Sequence, residues 1–147
     1  MKVLITGGAG FIGSYLAERH LSMGDDVAVI DNLSTGEITN IQHLESNSRF
    51  SCRIDDVLNV DVMRGLVDDC DLIYHLAAAV GVEYILENPL QSLTTNIRGT
   101  EIILELANRH KKKVIVASTS EIYGKKNGHV PFREDSDRIL GPTTVVR

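Results

Sequence analysis

The sequence predicts an α/β fold: a doubly wound parallel sheet of five strands in the order 3-2-1-4-5. Three observations carry that prediction. Short apolar runs rich in β-branched residues recur along the chain, each succeeded by a stretch with helical spacing. A glycine-rich turn, Gly7-Gly8-Ala9-Gly10, joins the first run to the first helical stretch. The second run closes on an acidic residue, Asp31, a little under ~20 residues past Gly13. Runs that are apolar throughout belong to strands covered on both faces, as parallel sheets are.

The elements come in order. Residues 2–6 read as the first strand, and the spacing of Phe11, Ile12, Tyr15, Leu16 and Leu21 predicts a helix with those residues on its apolar face. Residues 26–30 form the second strand, 33–37 a turn-rich loop and 38–44 a short, weakly helical stretch. Residues 49–54 make the third strand, closing in Asp55-Asp56-Val57, and residues 60–67 a helix with Val60, Met63, Leu66 and Val67 on one side. Residues 71–75 open the fourth strand, which runs into Ala77-Ala78-Ala79. The longest helix starts at Asn88-Pro89, a capping residue before a proline at the first helical position, where its missing N–H costs nothing. Leu93, Ile97, Thr100, Leu104 and Ala107 form its apolar stripe, while Ile102 and Leu106 lie on a second face. That face is read either as a partner surface or as packed inside the domain. Residues 114–117 give the fifth strand, delivering Ser118-Thr119-Ser120-Glu121 to the carboxyl edge of the sheet, where open α/β sheets bind ligands. Beyond Tyr123-Gly124 the pattern dissolves into glycine, proline and charge, and residues 1–147 read as one domain with no internal repeat.

The chemistry starts at the turn. Glycine lets main-chain N–H groups approach a phosphate closely, and a helix start offers unpaired donors and the positive end of its dipole. Two registers are open, Gly8-x-Gly10-x-x-Gly13 and Gly7-x-x-Gly10-x-x-Gly13, and either sits between a strand and a helix as a dinucleotide fingerprint requires. Asp31, at the end of the second strand, suits the two hydroxyls of an adenosine ribose and repels a 2′-phosphate. No arginine or lysine lies at 32–34 to neutralise such a phosphate, so the expected cofactor is NAD rather than NADP.

Composition narrows the classes. At 147 residues the chain is of one-domain size. A net charge of −5 argues against a nucleic-acid surface, and the one basic run, Lys111-Lys112-Lys113, reads as the last turn of a helix, where cations suit the dipole. No run approaches the ~20 apolar residues of a membrane span, and Gly7 to Gly10 interrupts the amino-terminal run before a signal-peptide core could form. The expected compartment is the cytoplasm. Cys52 and Cys70 lack metal spacing and read as reduced, buried thiols; no metal is expected.

Taken together, Thr6-Gly7-Gly8-Ala9-Gly10-Phe11-Ile12-Gly13, Asp31-Asn32-Leu33-Ser34-Thr35-Gly36, Asp56-Val57, His75-Leu76-Ala77-Ala78, Asn96-x-x-Gly99-Thr100 and Ser118-Thr119-Ser120-Glu121-x-Tyr123-Gly124 resemble the extended short-chain dehydrogenase/reductase family, across essentially the whole chain. Its members include NAD-dependent sugar-nucleotide epimerases, dehydratases and decarboxylases. The resemblance implies a Rossmann-type domain in which Gly7, Gly10, Phe11, Ile12, Gly13, Asp31 and Asn32 hold NAD. It implies that Asp56 and Val57 contact the adenine, that Leu76, Ala77 and Ala78 line the cofactor's middle, and that Asn96 shapes the nicotinamide end. Thr119 takes the place of the family's catalytic serine or threonine, and Glu121 the place of an acid kept by dehydratases and decarboxylases. The implied substrate is a nucleotide sugar, a UDP-sugar by preference. Family chemistry removes a hydride from C4 while a tyrosine, its pKa lowered by a lysine, takes the hydroxyl proton; the 4-keto sugar is then rotated, dehydrated or decarboxylated. A homodimer is implied for the complete enzyme.

One departure stands out. The family's Tyr-x-x-x-Lys is absent: four residues after Tyr15 comes Arg19, after Tyr84 Asn88 and after Tyr123 Asn127. Its expected place is beyond Arg147, as are the later strands and the substrate domain, so the chain is expected to be an amino-terminal portion that binds NAD without turnover. A UDP-glucose 4-epimerase-like parent is the first reading. A UDP-glucuronate decarboxylase or nucleotide-sugar 4,6-dehydratase is the alternative, as is a non-catalytic NAD-binding module.

Overall fold

The computed structural model describes residues 1–124 and 131–136 and divides the chain into two compact units, 1–116 and 117–147. The first unit carries all of the sheet. Its strands are β1 (Lys2–Thr6), β2 (Asp26–Asp31), β3 (Phe50–Ile54), β4 (Leu72–His75) and β5 (Lys113–Val116), in the order β3-β2-β1-β4-β5 with every pair parallel. The predicted order is therefore the observed one. β1 sits where the order reverses, between β2 and β4, and its carboxyl end is the crevice in which such sheets hold ligands.

Alternation along the central strands splits the core in two. Val3 and Ile5 face one side with Val27 and Val29, under α1 (Phe11–Ser22) and the loop residues Ile41 and Leu44. Leu4, Ile30 and Ile73 face the other, against Met63 and Val67 of α2 (Val60–Asp68) and Ile102, Ile103, Leu106 and Ala107 of α5 (Gly99–His110). Side chains alternate across a strand, so a two-sided core demands apolar residues at successive positions. The weakly helical stretch is two short 3₁₀ turns, Ile38–Asn40 and Gln42–Leu44.

Two helix faces differ from expectation. In α1 the buried residues are Gly13, Ser14, Ala17, His20 and Leu21, while Phe11, Ile12 and Tyr15 point outward, Phe11 at 78% exposure. Close approach to the sheet beside the glycine turn favours small side chains, which displaces the bulky ones from the inner face. Along the segment leading into α5 the expectation is reversed in part: Ile102 and Leu106 lie in the core and Leu93, Ile97 and Leu104 are exposed, while Ala107 of the expected stripe is buried. The expected stripe assumes one regular helix, but the segment is interrupted. After α3 (Val82–Glu87), α4 (Pro89–Leu93) starts at the predicted proline, a π-helical turn spans Thr94–Arg98, and only then does α5 begin. A wider turn shifts the phase of the residues before it against those after it. α5 closes at Lys111, in the left-handed region at φ 52°, and Lys112 Nζ donates to Asp68 O; the basic run follows the helix rather than forming its last turn, with Lys113 already the first residue of β5.

In the second unit the short turn Ser120–Tyr123 carries Glu121, and the Tyr123 and Phe132 rings stack at 4.8 Å. Of the glycine-, proline- and charge-rich tail, 125–130 and 137–147, including Asn127, lie outside the described residues.

Candidate functional site

The site is built on the turn between β1 and α1. Gly7 takes φ +71°, and a Cβ there would meet Ala77 N at 2.8 Å, so the turn and the chain leaving β4 are in backbone contact. Gly8 lies against Val29, and Gly13 against Gly7 O and Gly8 Cα, with no room for a side chain at either. Gly10 differs: its φ of −76° suits any residue, and a Cβ would approach only Gly7 O, at 3.3 Å. As the N-cap of α1 it supplies no side-chain hydrogen bond, and no acidic residue sits in the first turn. The first N–H groups of a helix have no intrahelical partner, so Phe11, Ile12 and Gly13 present donors with the dipole behind them, a fit for an anionic diphosphate.

Asp31 stands beside this turn at 8% exposure. Its Oδ2 accepts from Ala9 N at 2.9 Å and its Oδ1 from Leu33 N at 2.9 Å. A carboxylate has about four acceptor positions, so two are satisfied by main chain and two remain, the number a ribose diol needs. Ala9 O accepts from Glu37 N at 3.1 Å and Asn40 Nδ2 at 2.8 Å, which anchors the turn from its other side. Gly36 closes over the carboxylate, for a Cβ there would lie 3.0 Å from both oxygens. Sequence reasoning misses Asn40; nothing in a weakly helical stretch marks a residue that reaches back to residue 9.

Asn32 spends its side chain on neighbours: Oδ1 accepts from Ser34 N at 3.0 Å and Nδ2 donates to Asp56 Oδ2 at 2.9 Å. Asp56 Oδ1 accepts from Leu58 N, while the Val57 side chain is buried in the core against Gly99. Asn32 and Asp56 thus form one connected rim past the ends of β2 and β3.

Past β4, Leu76 and Ala77 are half-buried and Ala78 exposed. Asn96, in the π-helical turn, pins this segment twice, its Oδ1 accepting from Ala79 N at 2.7 Å and its Nδ2 donating to Ala79 O at 3.2 Å. Thr119 and Glu121 belong to the second unit; Thr119 O accepts from Ile122 N at 3.3 Å. Gly7, Gly10, Phe11, Ile12, Gly13 and Asp31 are therefore brought together at one strand end of the first unit, with Asn32 and Asp56 alongside. His75 lies beneath, at 4% exposure, and burial lowers its pKa below the usual imidazole value.

Comparison with known proteins gives matches over nearly the whole chain. The family model described as GDP-mannose 4,6 dehydratase matches residues 4–143. A UDP-N-acetyl-alpha-D-glucosaminuronate decarboxylase of Bacillus cytotoxicus is 43% identical over 146 residues, covering 99% of this chain and 44% of that protein. UDP-glucuronic acid decarboxylase 1 of Arabidopsis thaliana is 39% identical over 129 residues, 88% of this chain and 28% of that one. Among solved structures, the UDP-glucuronic acid 4-epimerase of Bacillus cereus in complex with UDP-glucuronic acid and NAD is 40% identical, with a TM-score of 0.83 over 95% of this chain and 46% of that one. The chain thus spans less than half the length of each of these proteins.

Proposed function

The chain belongs to the GDP-mannose 4,6-dehydratase family of NAD-dependent, short-chain-dehydrogenase-type epimerases and dehydratases, and on that premise we propose that it is the NAD-binding portion of a sugar-nucleotide-modifying enzyme. The observation that carries the reading is the Asp31 carboxylate, held by two main-chain N–H groups beside an uncapped helix start, with acceptor capacity left for a ribose. Phe11, Ile12 and Gly13 N–H would hold the diphosphate and Gly10 would leave it space. Asn32 and Asp56 would border the adenine with the main chain of Val57, whose side chain is buried, and Leu76, Ala77 and Ala78, fixed through Asn96, would form the floor. Once bound, the dinucleotide would supply a hydride acceptor to the sugar. Thr119 is proposed to hydrogen-bond the sugar hydroxyl, and Glu121 to serve as the acid of a dehydrating or decarboxylating reaction.

For the parent enzyme the first reading is a 4-epimerase passing through a 4-keto sugar, in line with the fold match to the Bacillus cereus epimerase. A specific observation favours the second, a decarboxylase: the two curated relatives described above are both decarboxylases by name, acting on UDP-linked uronic acids. A UDP-linked uronate is common to the names of the three relatives described above. Titration with NAD⁺ and NADP⁺ tests the cofactor: NAD⁺ should bind and NADP⁺ should bind more weakly. Supplying UDP-glucose and UDP-glucuronate separately to a full-length protein carrying this chain, and measuring released CO₂, tests the reaction. CO₂ from UDP-glucuronate would favour the decarboxylase, and an epimer without CO₂ the epimerase.

With no Tyr-x-x-x-Lys in its sequence, the chain alone is proposed to bind NAD without turnover; sustained epimerase or decarboxylase activity would refute this. The complete enzyme is proposed to be a cytoplasmic homodimer. The exposed Leu90, Leu93, Ile97 and Leu104 offer it an apolar surface. Among the described residues no helix is long and apolar enough to cross a membrane.

A further inference from the structure

Beneath the proposed cofactor floor runs a connected chain of hydrogen bonds whose centre, His75, has no part in the cofactor reading. Thr6 Oγ1 lies 2.8 Å from His75 Nδ1 and accepts from Ala77 N at 3.1 Å and Leu76 N at 3.2 Å. On the other side of the ring, His75 Nε2 lies 3.0 Å from Thr100 Oγ1, which donates its own proton to Asn96 O at 2.7 Å. Asn96 then holds Ala79 by both amide atoms. The chain of bonds therefore joins the last residue of β1, the last residue of β4, the π-helical turn and the first turn of α5.

Counting protons fixes the state of the ring. A hydroxyl has one hydrogen. Thr100 has committed its hydrogen to Asn96 O, so it can only accept from His75, which places a proton on Nε2. With the proton on Nε2 a neutral ring has Nδ1 bare, and the Thr6 hydroxyl, which accepts from Ala77 N and from a Leu76 N–H shared with Thr6 O, turns its hydrogen to His75. A second proton on the ring would set an N–H against a hydroxyl that already accepts from Ala77 N and, in part, from Leu76 N.

We propose that His75, locked as the neutral Nε2–H tautomer, is a positioning residue. Through the Thr6 hydroxyl it holds the segment 76–79 against the glycine turn and so sets the floor on which the dinucleotide rests. The proposal deepens the NAD-binding reading and depends on it. The close approach of Gly7 to Ala77 is the contact it maintains, since the Thr6 hydroxyl that His75 orients is bonded to the Ala77 N–H. Burial agrees with a ring that stays neutral.

Two measurements on the 147-residue chain test it. Nitrogen-15 NMR of the histidines, without cofactor, should show one ring with Nε2 protonated and Nδ1 bare, its pattern unchanged through the ordinary histidine range. A ring that averages both tautomers or carries its proton on Nδ1 would overturn the proposal. In calorimetric NAD⁺ titrations, Thr6→Ser should bind within about threefold of wild type, whereas Thr6→Val, the same size without the hydroxyl, should bind about tenfold more weakly, a factor of the size expected for an orphaned buried donor. Equal affinity of a folded Thr6→Val would also overturn it. Should Thr6→Val not fold, the ring nitrogens and Thr6→Ser decide. A wild-type chain that bound no NAD⁺ would count against the cofactor reading, while the NMR pattern would still rule on the hydrogen-bond chain.

Discussion

At the residue scale the glycines of the turn separate by what excludes a side chain from each. Protein atoms exclude one at Gly7, Gly8 and Gly13; at Gly10 the backbone is ordinary and a Cβ meets little. Gly13→Ala should therefore destabilise the fold, seen as a lower melting temperature. Gly10→Ala should melt close to wild type yet weaken NAD⁺ binding tenfold or more, a loss of roughly 1.4 kcal/mol. The sequence marks all of these positions alike, because spacing shows that glycine recurs and not which neighbour requires it. Asp31 is legible from its place at a strand end, but its bonds to Ala9 N and Leu33 N are not, since they depend on how the loop after β2 folds back. Asp31→Ala should weaken NAD⁺ binding by about 1–3 kcal/mol, the scale of a charged hydrogen bond, with a smaller loss or a gain for NADP⁺. Unchanged affinity for both would contradict the ribose assignment.

At the scale of elements, the strands were legible to within a residue because an apolar run has few alternatives once covered on both faces. The face of α2 was legible too, with Met63 and Val67 buried as expected, but those of α1 and α5 were not. In α1 the inner face is set by the room between helix and sheet, which favours Gly13, Ser14 and Ala17 over Phe11 and Tyr15. In α5 it is Ile102, Ile103, Leu106 and Ala107 that enter the core, while Leu93 and Ile97, before the intervening π-helical turn, are exposed. The corrected assignment makes a direct prediction: Ile103→Ala, at a fully buried position, should cost about 2–5 kcal/mol in denaturant unfolding, while Leu104→Ala, one residue away and exposed, should cost under about 0.5 kcal/mol. Reversed magnitudes would restore the face expected from periodicity. The link between α1 and β2 rests on charge. His20 Nδ1 lies 2.8 Å from Asp25 Oδ2, its Nε2 lies 3.2 Å from Tyr74 Oη, and the amino group of Met1 donates to Asp25 Oδ1 at 2.8 Å. The hydrogen bond from His20 leads the influences that hold the Asp25 carboxyl below its ordinary value of 3.8. A carboxyl lowered by folding stabilises above its unfolded pKa and loses that contribution as pH falls through the folded value. Asp25→Asn should therefore melt lower than wild type at pH 7, and the gap should close as the pH drops below about 4. A gap that persisted at lower pH would assign the effect to packing instead.

At the scale of the whole molecule, strand order and site position were legible together, because a right-handed chain of strand and helix units leaves few ways to arrange five parallel strands. The crevice at the β1 switch point is a consequence of that order, and the glycine turn and Asp31 converge on it from adjacent strands. Family membership agrees, over residues 4–143. The chemistry of the sugar was less legible: the motif at 118–121 lies in the second unit, and the three compared proteins extend well past the portion matched here. The measurement that bears most directly on the account is a calorimetric titration of the folded chain with NAD⁺, repeated on Gly10→Ala. Saturable one-to-one binding by the wild type, lost or sharply weakened in a variant that melts normally, is the predicted result. A folded wild-type chain that gives no binding heat at any temperature tried, or a Gly10→Ala variant that binds as tightly as wild type, would contradict it.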